Sequence, residues 1–474
     1  MPRTVICLLV TTLAASFAAQ RAPAQSTTTS LPNAFGPDTP GGSRAATDLR
    51  LFGPDTATAD GWLFPITRLD KSLPPWIQFG WQFRNRLENQ DGLGYGRVND
   101  VYDLTQLRLG VYIHPTKWLE LVGVTQDARV FFDHHVPNVS PYQNIWDIRE
   151  AYAQLGNPSE GWFDVVVGRQ MFSFGDERVI GPSDWSNMGR TFDTARLDLH
   201  HPGVKVSIFA ASVINAVDGE IDHHIEGNNI YGIYGGLTHL IPHTTLEPYV
   251  LWRIAPGNVS LPETAGLGHM SEVTTGVRAA GTLPANFDYD VEINKQIGSL
   301  GPKSIDAWAG HWNLGYTFLN ARTQPRIYME YNYASGNKNP NGNVWGTHDS
   351  IYASAHDKMD FADQFGWKNI EEIRTGASET LGKKWTLTEI LNDLWLATKN
   401  DAVFGSSGAI AVAARLNATS RHLGTELDLI GEYKENRHVT YGLGFAHLFT
   451  GQFLNEATPG KDYNYPFAYV TYIF

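Results

Sequence analysis

Trp76–Arg86 reads W-I-Q-F-G-W-Q-F-R-N-R. Ile77, Phe79, Trp81 and Phe83 fall on one side of an extended chain, and Gln78, Gly80, Gln82, Arg84 and Arg86 fall on the other. Side chains alternate across a strand, so this period of two predicts one apolar face and one wet face. The same code recurs downstream. Leu107, Leu109, Val111 and Ile113 oppose Gln106, Arg108 and Gly110; Phe287, Tyr289, Val291 and Ile293 oppose Asp288, Asp290 and Glu292; Leu427 and Leu429 oppose Glu426 and Asp428.

The links between these runs alternate in length. Short ones fall at 114–117, 157–161, 201–203, 242–244, 283–286, 319–323, 382–384 and 434–437. Long polar ones fall at 91–103, 133–144, 170–190, 216–228, 255–271, 298–303, 336–366, 397–421 and 451–462. Eight short and nine long links join about eighteen strands. Short turns at one end and long loops at the other are the asymmetry of an outer-membrane barrel. A soluble β-sandwich has no reason to sustain it over a whole chain. The predicted fold is all-β: a transmembrane antiparallel β-barrel of about 18 strands, with short periplasmic turns and long extracellular loops. The end of the chain agrees. Ala468, Val470, Tyr472 and Phe474 share one face, and aromatics belong where a barrel wall meets lipid headgroups. A terminal Phe after alternating apolar residues resembles the signal read by the bacterial barrel-assembly machinery.

Composition narrows the class further. Beyond the N-terminus no eighteen successive residues are apolar, which excludes a helical membrane protein. Alternation hides the hydrophobicity of a barrel, so a barrel survives that test. Arg3, the apolar run Val5–Phe17 and Ala22-Pro23-Ala24 read as an export signal over residues 1–24. The one cysteine, Cys7, lies inside it. The mature chain then has no disulfide, thiolate metal site or Cys nucleophile. Residues 25–75 are rich in Ser, Thr, Pro and Gly, and repeat Phe-Gly-Pro-Asp-Thr at 35–39 and 52–56. They read as a flexible N-terminal arm, with a plug in the pore as the alternative. Residues 76–474 are the barrel. Net charge is −13, and there is no basic nucleic-acid footprint.

A lipid-facing Arg or Lys at mid-membrane costs about 2–4 kcal/mol, so charges within the alternating strands are expected to face the lumen. This places Arg84, Arg86, Arg108, Arg129, Arg196, Arg278, Arg326 and Arg374 inside, with Glu88, Asp198, Asp288, Asp290, Glu292, Glu330, Glu372 and Glu426 among the acids. Two readings stay open: ion-paired ladders that brace a wet wall, or an arginine path for a carboxylate solute. Arg suits the second because it stays charged and grips carboxylates with two parallel N–H groups. One long charged stretch between strand-like runs, Gln170–Arg190, holds Asp176, Glu177, Arg178, Asp184 and Arg190. Loops of that length are usually functional or disordered. No catalytic constellation stands out, and Gly-x-Ser-x-Gly is absent. Asp133-His134-His135 and Asp222-His223-His224 sit in predicted loops and read as solvated, so no metal or other cofactor is expected.

Several segments together resemble the alginate-export family of bacterial outer-membrane barrels. They are Leu107-Arg108-Leu109-Gly110, Gln126-Asp127-Ala128-Arg129, Ile148-Arg149-Glu150-Ala151-Tyr152, and Gly168-Arg169-Gln170 running through Gly175-Asp176-Glu177-Arg178 to Gly189-Arg190-Thr191-Phe192-Asp193. Ala362–Trp367, Glu426–Leu429 and Ala457–Gly460 continue the match. The resemblance implies a monomeric eighteen-stranded barrel. It implies a conduit for an anionic exopolysaccharide, lined by Arg and Lys and narrowed by an inward-folded loop. Carried onto this chain, Arg108, Arg129, Arg169, Arg178 and Arg190 line the path, and Asp176 and Glu177 shape the constriction. The expected partners are outer-membrane lipids, an anionic polysaccharide or sugar-acid solute, the barrel-assembly machinery and periplasmic export components. The acidic strand at 288–292 keeps open an uptake porin for small carboxylates. An outer-membrane hydrolase would need a Ser, Asp or His cluster at a strand end.

Overall fold

The computed structural model describes residues 73–157, 160–256, 268–436 and 438–473. The export signal and nearly all of the N-terminal arm lie outside the described residues.

The chain is built from strands β1 (Ile77–Leu93), β2 (Val98–Thr116), β3 (Leu119–Phe131), β4 (Asn144–Gly156), β5 (Phe163–Gln170), β6 (Phe192–His201) and β7 (Val204–Asn215). There follow β8 (His223–Ile241), β9 (Thr244–Ala255), β10 (Met270–Leu283), β11 (Phe287–Leu300), β12 (Lys303–Thr317), β13 (Arg326–Ala334) and the two-residue β14 (Val344–Trp345). The last are β15 (Ile370–Leu381), β16 (Trp385–Leu396), the short β17 (Val403–Phe404) and β18 (Ile410–Val412), β19 (His422–Lys434), β20 (Val439–Thr450) and β21 (Tyr463–Ile473). β14 lies parallel on β12, and β17 pairs only with β18. The remaining eighteen form a closed antiparallel barrel. β21 pairs with β1, from Gln82↔Ile473 to Asp91↔Asn464, so the sheet has no free edge. At the seam Asp91 accepts from Lys461 at 2.6 Å and Asn464 at 2.9 Å.

The alternation read from the sequence is the pleat of this wall. In β1–β2 the pairs Gln82↔Arg108, Arg84↔Gln106 and Arg86↔Leu104 point inward, while Phe83↔Leu107 and Trp81↔Leu109 point outward. Two of the links expected to be long are tight: four residues, 94–97, join β1 to β2, and Gly301-Pro302 alone join β11 to β12. The strands run on past their apolar stretch, with Asn89↔Val101 and Asp91↔Asn99 still paired. Beyond the lipid an outward residue meets water, so polarity there marks the edge of the membrane and not the end of the strand.

Two long loops turn into the lumen and meet there. One is 171–191, between β5 and β6; the other is 335–369, between β13 and β15. Their backbones bond directly: Tyr352 N–H to the Val179 carbonyl (3.0 Å), Gly181 N–H to Tyr352 (2.9 Å) and Ser354 N–H to Glu177 (3.0 Å). Aromatic side chains fix the first loop to the wall. Phe174 stacks on Tyr234 with centroids 4.4 Å apart and on Phe209 at 5.3 Å, and Phe172 packs on Phe192 at 4.7 Å. All are buried. Burying such a side chain contributes about 1.5–3 kcal/mol, enough to hold a polar loop inside a wet barrel.

Candidate functional site

On one side of the lumen, β1, β2 and β4 present Arg84, Arg86, Arg108 and Arg149 to residues 184–188 of the first inward loop. Arg84 donates to three successive backbone carbonyls: Asp184 (2.7 Å), Trp185 (3.2 Å) and Ser186 (3.0 Å). Arg86 pairs with Glu88, donates to the Trp185 carbonyl and lies 4.0 Å over the Trp185 ring. Gln106 and Gln126 bind the carbonyls of Asn187 and Met188 at 2.6 and 3.0 Å. Asn187 answers with three bonds to the carbonyls of Thr105, Arg129 and Tyr142. The loop is thus gripped mainly through its backbone.

The Asp184 carboxylate is the exception. Arg108 Nη2 lies 2.6 Å from it and Arg149 Nη2 4.0 Å. Arg108 is 1% exposed and Arg149 5%, while Asp184 is 30% exposed toward the lumen. Burial works to raise the Asp184 carboxyl, but Arg108, Arg84 and Arg149 outweigh it and hold it well below the usual carboxylate range. Arg149 reaches this cluster because β4 bulges. Glu150 pairs with Val124 but Ile148 with Thr125, so Arg149 is the extra residue. A bulge re-aims a side chain, and here Arg149 and Glu150 are both buried. Strict alternation would have put Arg149 outside. Gly189 completes the fit: its φ is +67°, and a Cβ there would collide with Arg149 Nη2.

The rest of the lumen is acidic, and most of its arginines meet a carboxylate. Arg278 contacts Asp290 and Glu247, each at 2.5 Å. Arg326 pairs with Asp288 at 2.6 Å and Arg196 with Asp198 at 2.9 Å. Arg374 differs: it donates to the Asp357 carbonyl at 2.7 Å, and its Nε and Nη2 are buried with no acceptor. Arg178 bridges Asp176 (3.1 Å) and Glu330 (2.9 Å), and Lys358 adds a second cation to Asp176 at 3.1 Å. Burial opposes ionisation of Asp176, but Lys358 and Arg178 prevail and its carboxyl lies well below the usual range. Glu177 is raised by its own burial. Arg190 donates to the carbonyls of Gly181, Tyr352 and Ala353 at 3.0, 2.5 and 3.1 Å, clasping the two inward loops together.

Two arginines expected in the lumen are not there. Arg129 pairs across with Thr105 on the same side as Leu107 and Leu109, so it points outward. It grips Asp127 through two bonds, at 2.7 and 2.9 Å. Near the membrane boundary, beside Phe131 and Phe132, the cost of an outward charge falls to about 0–1 kcal/mol, and the rule that charges face inward lapses. Arg169 also takes outward parity, opposite Ala151 and Asp193. It is held at the rim by Asp193 (3.0 Å), Asp147 (3.8 Å) and the Asp222 carbonyl (2.8 Å).

The second inward loop was not singled out from the sequence as part of the site. Its Asp349 pairs with Arg253 and lies 3.6 Å from Lys368, and it exchanges two 2.7 Å bonds with Gln296. His134 and His135 serve another purpose: their backbone N–H groups, with that of Val136, cap the buried Asp100 carboxylate. Among the described residues, Asp176, Asp290 and His311 bring possible metal ligands within 4.8 Å of one another. Lys358, Arg178 and Arg278 already neutralise those carboxylates, so a divalent cation would have to displace them.

Comparison with known proteins agrees with this architecture. Residues 75–468 match the family model for alginate export. No curated protein matches the sequence. Pseudomonas aeruginosa OpdK, solved with vanillate, superposes with a TM-score of 0.56 at 10% identity, covering 84% of this chain and 98% of that one. OccK1 (OpdK) from the same organism gives 0.57 at 11%, with the same 84% and 98% covered. Acinetobacter baumannii OccAB3 gives 0.55 at 10%, covering 84% and 99%. At such identities the likeness is one of fold. The family model spans the entire described barrel but its last strand end, and the chain belongs to the alginate-export family as an outer-membrane β-barrel channel.

Proposed function

We propose that this channel passes carboxylate-bearing solutes, sugar acids and their chains, passively and past a constriction formed by loop 171–191. One observation carries the reading: the Arg84–Arg108–Arg149 cluster. Arg86, Arg196, Arg278 and Arg326 each have a wall carboxylate. Among the described residues, Asp184 is the single carboxylate within ion-pairing distance of both Arg108 and Arg149. The cluster therefore keeps an excess of positive charge inside an otherwise acidic lumen. Guanidinium groups recognise carboxylates by geometry as well as charge. One chain closes its own wall, and in this reading it works as a monomer placed by the barrel-assembly machinery. The test is conductance in planar bilayers with a salt gradient, wild type against Arg84→Gln and Arg108→Gln. Anion preference and block by galacturonate are expected in the wild type and reduced in both variants. Cation selectivity with no uronate block refutes the reading.

A specific observation favours small solutes over polymer. The two inward loops bond to each other and to both walls, and leave Arg84 and Arg108 only 7% and 1% exposed. One of the structural neighbours was solved with the aromatic carboxylate vanillate. Liposome swelling with oligouronates of graded length separates the two cases. Uptake that stops at one or two residues supports a small-carboxylate porin.

A further inference from the structure

Within residues 184–188, Asp184 is the one that meets the buried arginines of the wall through a carboxylate. Residues 184–188 are otherwise held to the wall through backbone carbonyls, the Asn187 amide and the Trp185 ring, which packs on Arg86 and Phe467. None of those bonds needs the Asp184 side chain. Its carboxylate is itself the chemistry the proposed solute carries, and it sits on the buried arginines from the lumen side. The arginines also hold donors in reserve. Arg108 Nη1 and Arg149 Nε are buried with no acceptor in the protein. Arg149 Nη2 rests 2.7 Å from the Met171 thioether, a weak acceptor. Beside Arg149, a cavity of about 20 Å³ lined by Gln126, Asn144 and Gly189, and on its far side by Asp147 and Asp222, has room for one water molecule.

Resting on the carboxylate reading above, we propose that Asp184 is a tethered counter-anion. A solute carboxylate takes its place on Arg108 and Arg149, and the freed side chain returns when the solute moves on. The exchange swaps one carboxylate for another, so the charge of the buried cluster stays constant. That removes the main obstacle to conduction through a buried cationic site, where an incoming anion would otherwise be trapped. A conducting path needs sites that bind weakly enough to release, and a competitor on the same chain weakens binding through its high effective concentration. The acidic residue on the loop then sets the dwell time, and the arginines set the selectivity.

The experiment uses the full-length channel in planar bilayers with galacturonate as the probe, comparing wild type, Asp184→Asn, Asp184→Ala and Arg108→Gln. The backbone anchors remain in both Asp184 variants, so the loop stays docked. Galacturonate dwell time is expected to lengthen about tenfold or more in both. Dwell times unchanged or shorter in the Asp184 variants, while Arg108→Gln abolishes block, overturn the counter-anion and leave the channel reading standing. A wider or noisier pore with unaltered dwell time also overturns it, because Asp184 is then a brace. Block that survives Arg108→Gln removes the carboxylate reading itself.

Discussion

Acidification is expected to loosen the second inward loop through one residue, His348. Its ring is buried, with Nδ1 3.0 Å from the Trp367 carbonyl and Nε2 2.9 Å from the Asn294 side chain. Burial pulls its pKa from 6.5 down to about 4; the Trp367 carbonyl and Asp349 oppose this, and Lys368 adds to it. The folded value is the lower one, so the released loop takes up the proton first. The contribution is therefore full above about pH 6.5 and is lost as the pH falls toward 4. At about 1.4 kcal/mol for each pH unit separating the two states, the full effect is about 3 kcal/mol. Asp349 does not confuse the result. Burial pushes its carboxyl up, but Arg253 and Lys368 hold it well below the usual range, so it stays charged throughout. Asp360 works the other way. Its burial and Asp363 raise it, so its protonation favours the docked loop as the pH falls. A difference between wild type and His348→Gln isolates the imidazole. The assay is hydrogen–deuterium exchange of peptides within 335–369, corrected for intrinsic rate. Between about pH 7 and about pH 4.5, wild-type protection is expected to fall roughly fifty-fold more than that of His348→Gln. Equal pH dependence in the two proteins refutes the reasoning.

Arg129→Gln is expected to leave anion selectivity unchanged in the salt-gradient measurement, because Arg129 faces outward onto Asp127. Arg190→Gln removes two bonds that join the inward loops and a third within loop 171–191. It should cost about 1.5–3 kcal/mol of local stability, read as faster exchange in both 171–191 and 335–369. Gly189→Ala forces a Cβ against Arg149 at a φ of +67°; galacturonate block should weaken with the barrel's heat-stable electrophoretic form retained. Glu389 faces outward opposite Ala377 and Leu429, so Glu389→Leu is expected to raise stability in urea by about 1 kcal/mol.

The wall was legible because its physics is periodic. Alternation placed Arg84, Arg86 and Arg108 inside, and the rhythm of long and short links gave eighteen strands. The failures share a cause: each lies where period two meets a local exception. A bulge, which adds one residue to one strand, brought Arg149 inward, and no single-sequence pattern marks that. Arg129 and Arg169 sit above the apolar band, where lipid no longer disciplines which way a charge points. The tight link at 94–97 was hidden because Asp91 and Asn99 look like loop residues while still in the ladder. Loop 335–369 was visible as a long polar link, but composition does not say whether such a link stands in water or folds into a barrel. Its direction is set by Asp349, Lys358 and His348 meeting Arg253, Asp176 and Asn294, residues drawn from three other parts of the chain.

The seam between β1 and β21 governs how this molecule can come into being. The bond from Lys461 to Asp91 joins residues 370 positions apart, so the first strand has no neighbour on one side until the last has been synthesised. Contacts this distant in sequence form slowly, and until they do both margins of the sheet offer unpaired N–H and C=O groups. Bilayer hydrocarbon cannot satisfy those groups. The sheet must therefore zip shut as it inserts, or be chaperoned until it does. A chain cut short anywhere before Tyr463 has no route to a closed wall, however well its earlier hairpins fold.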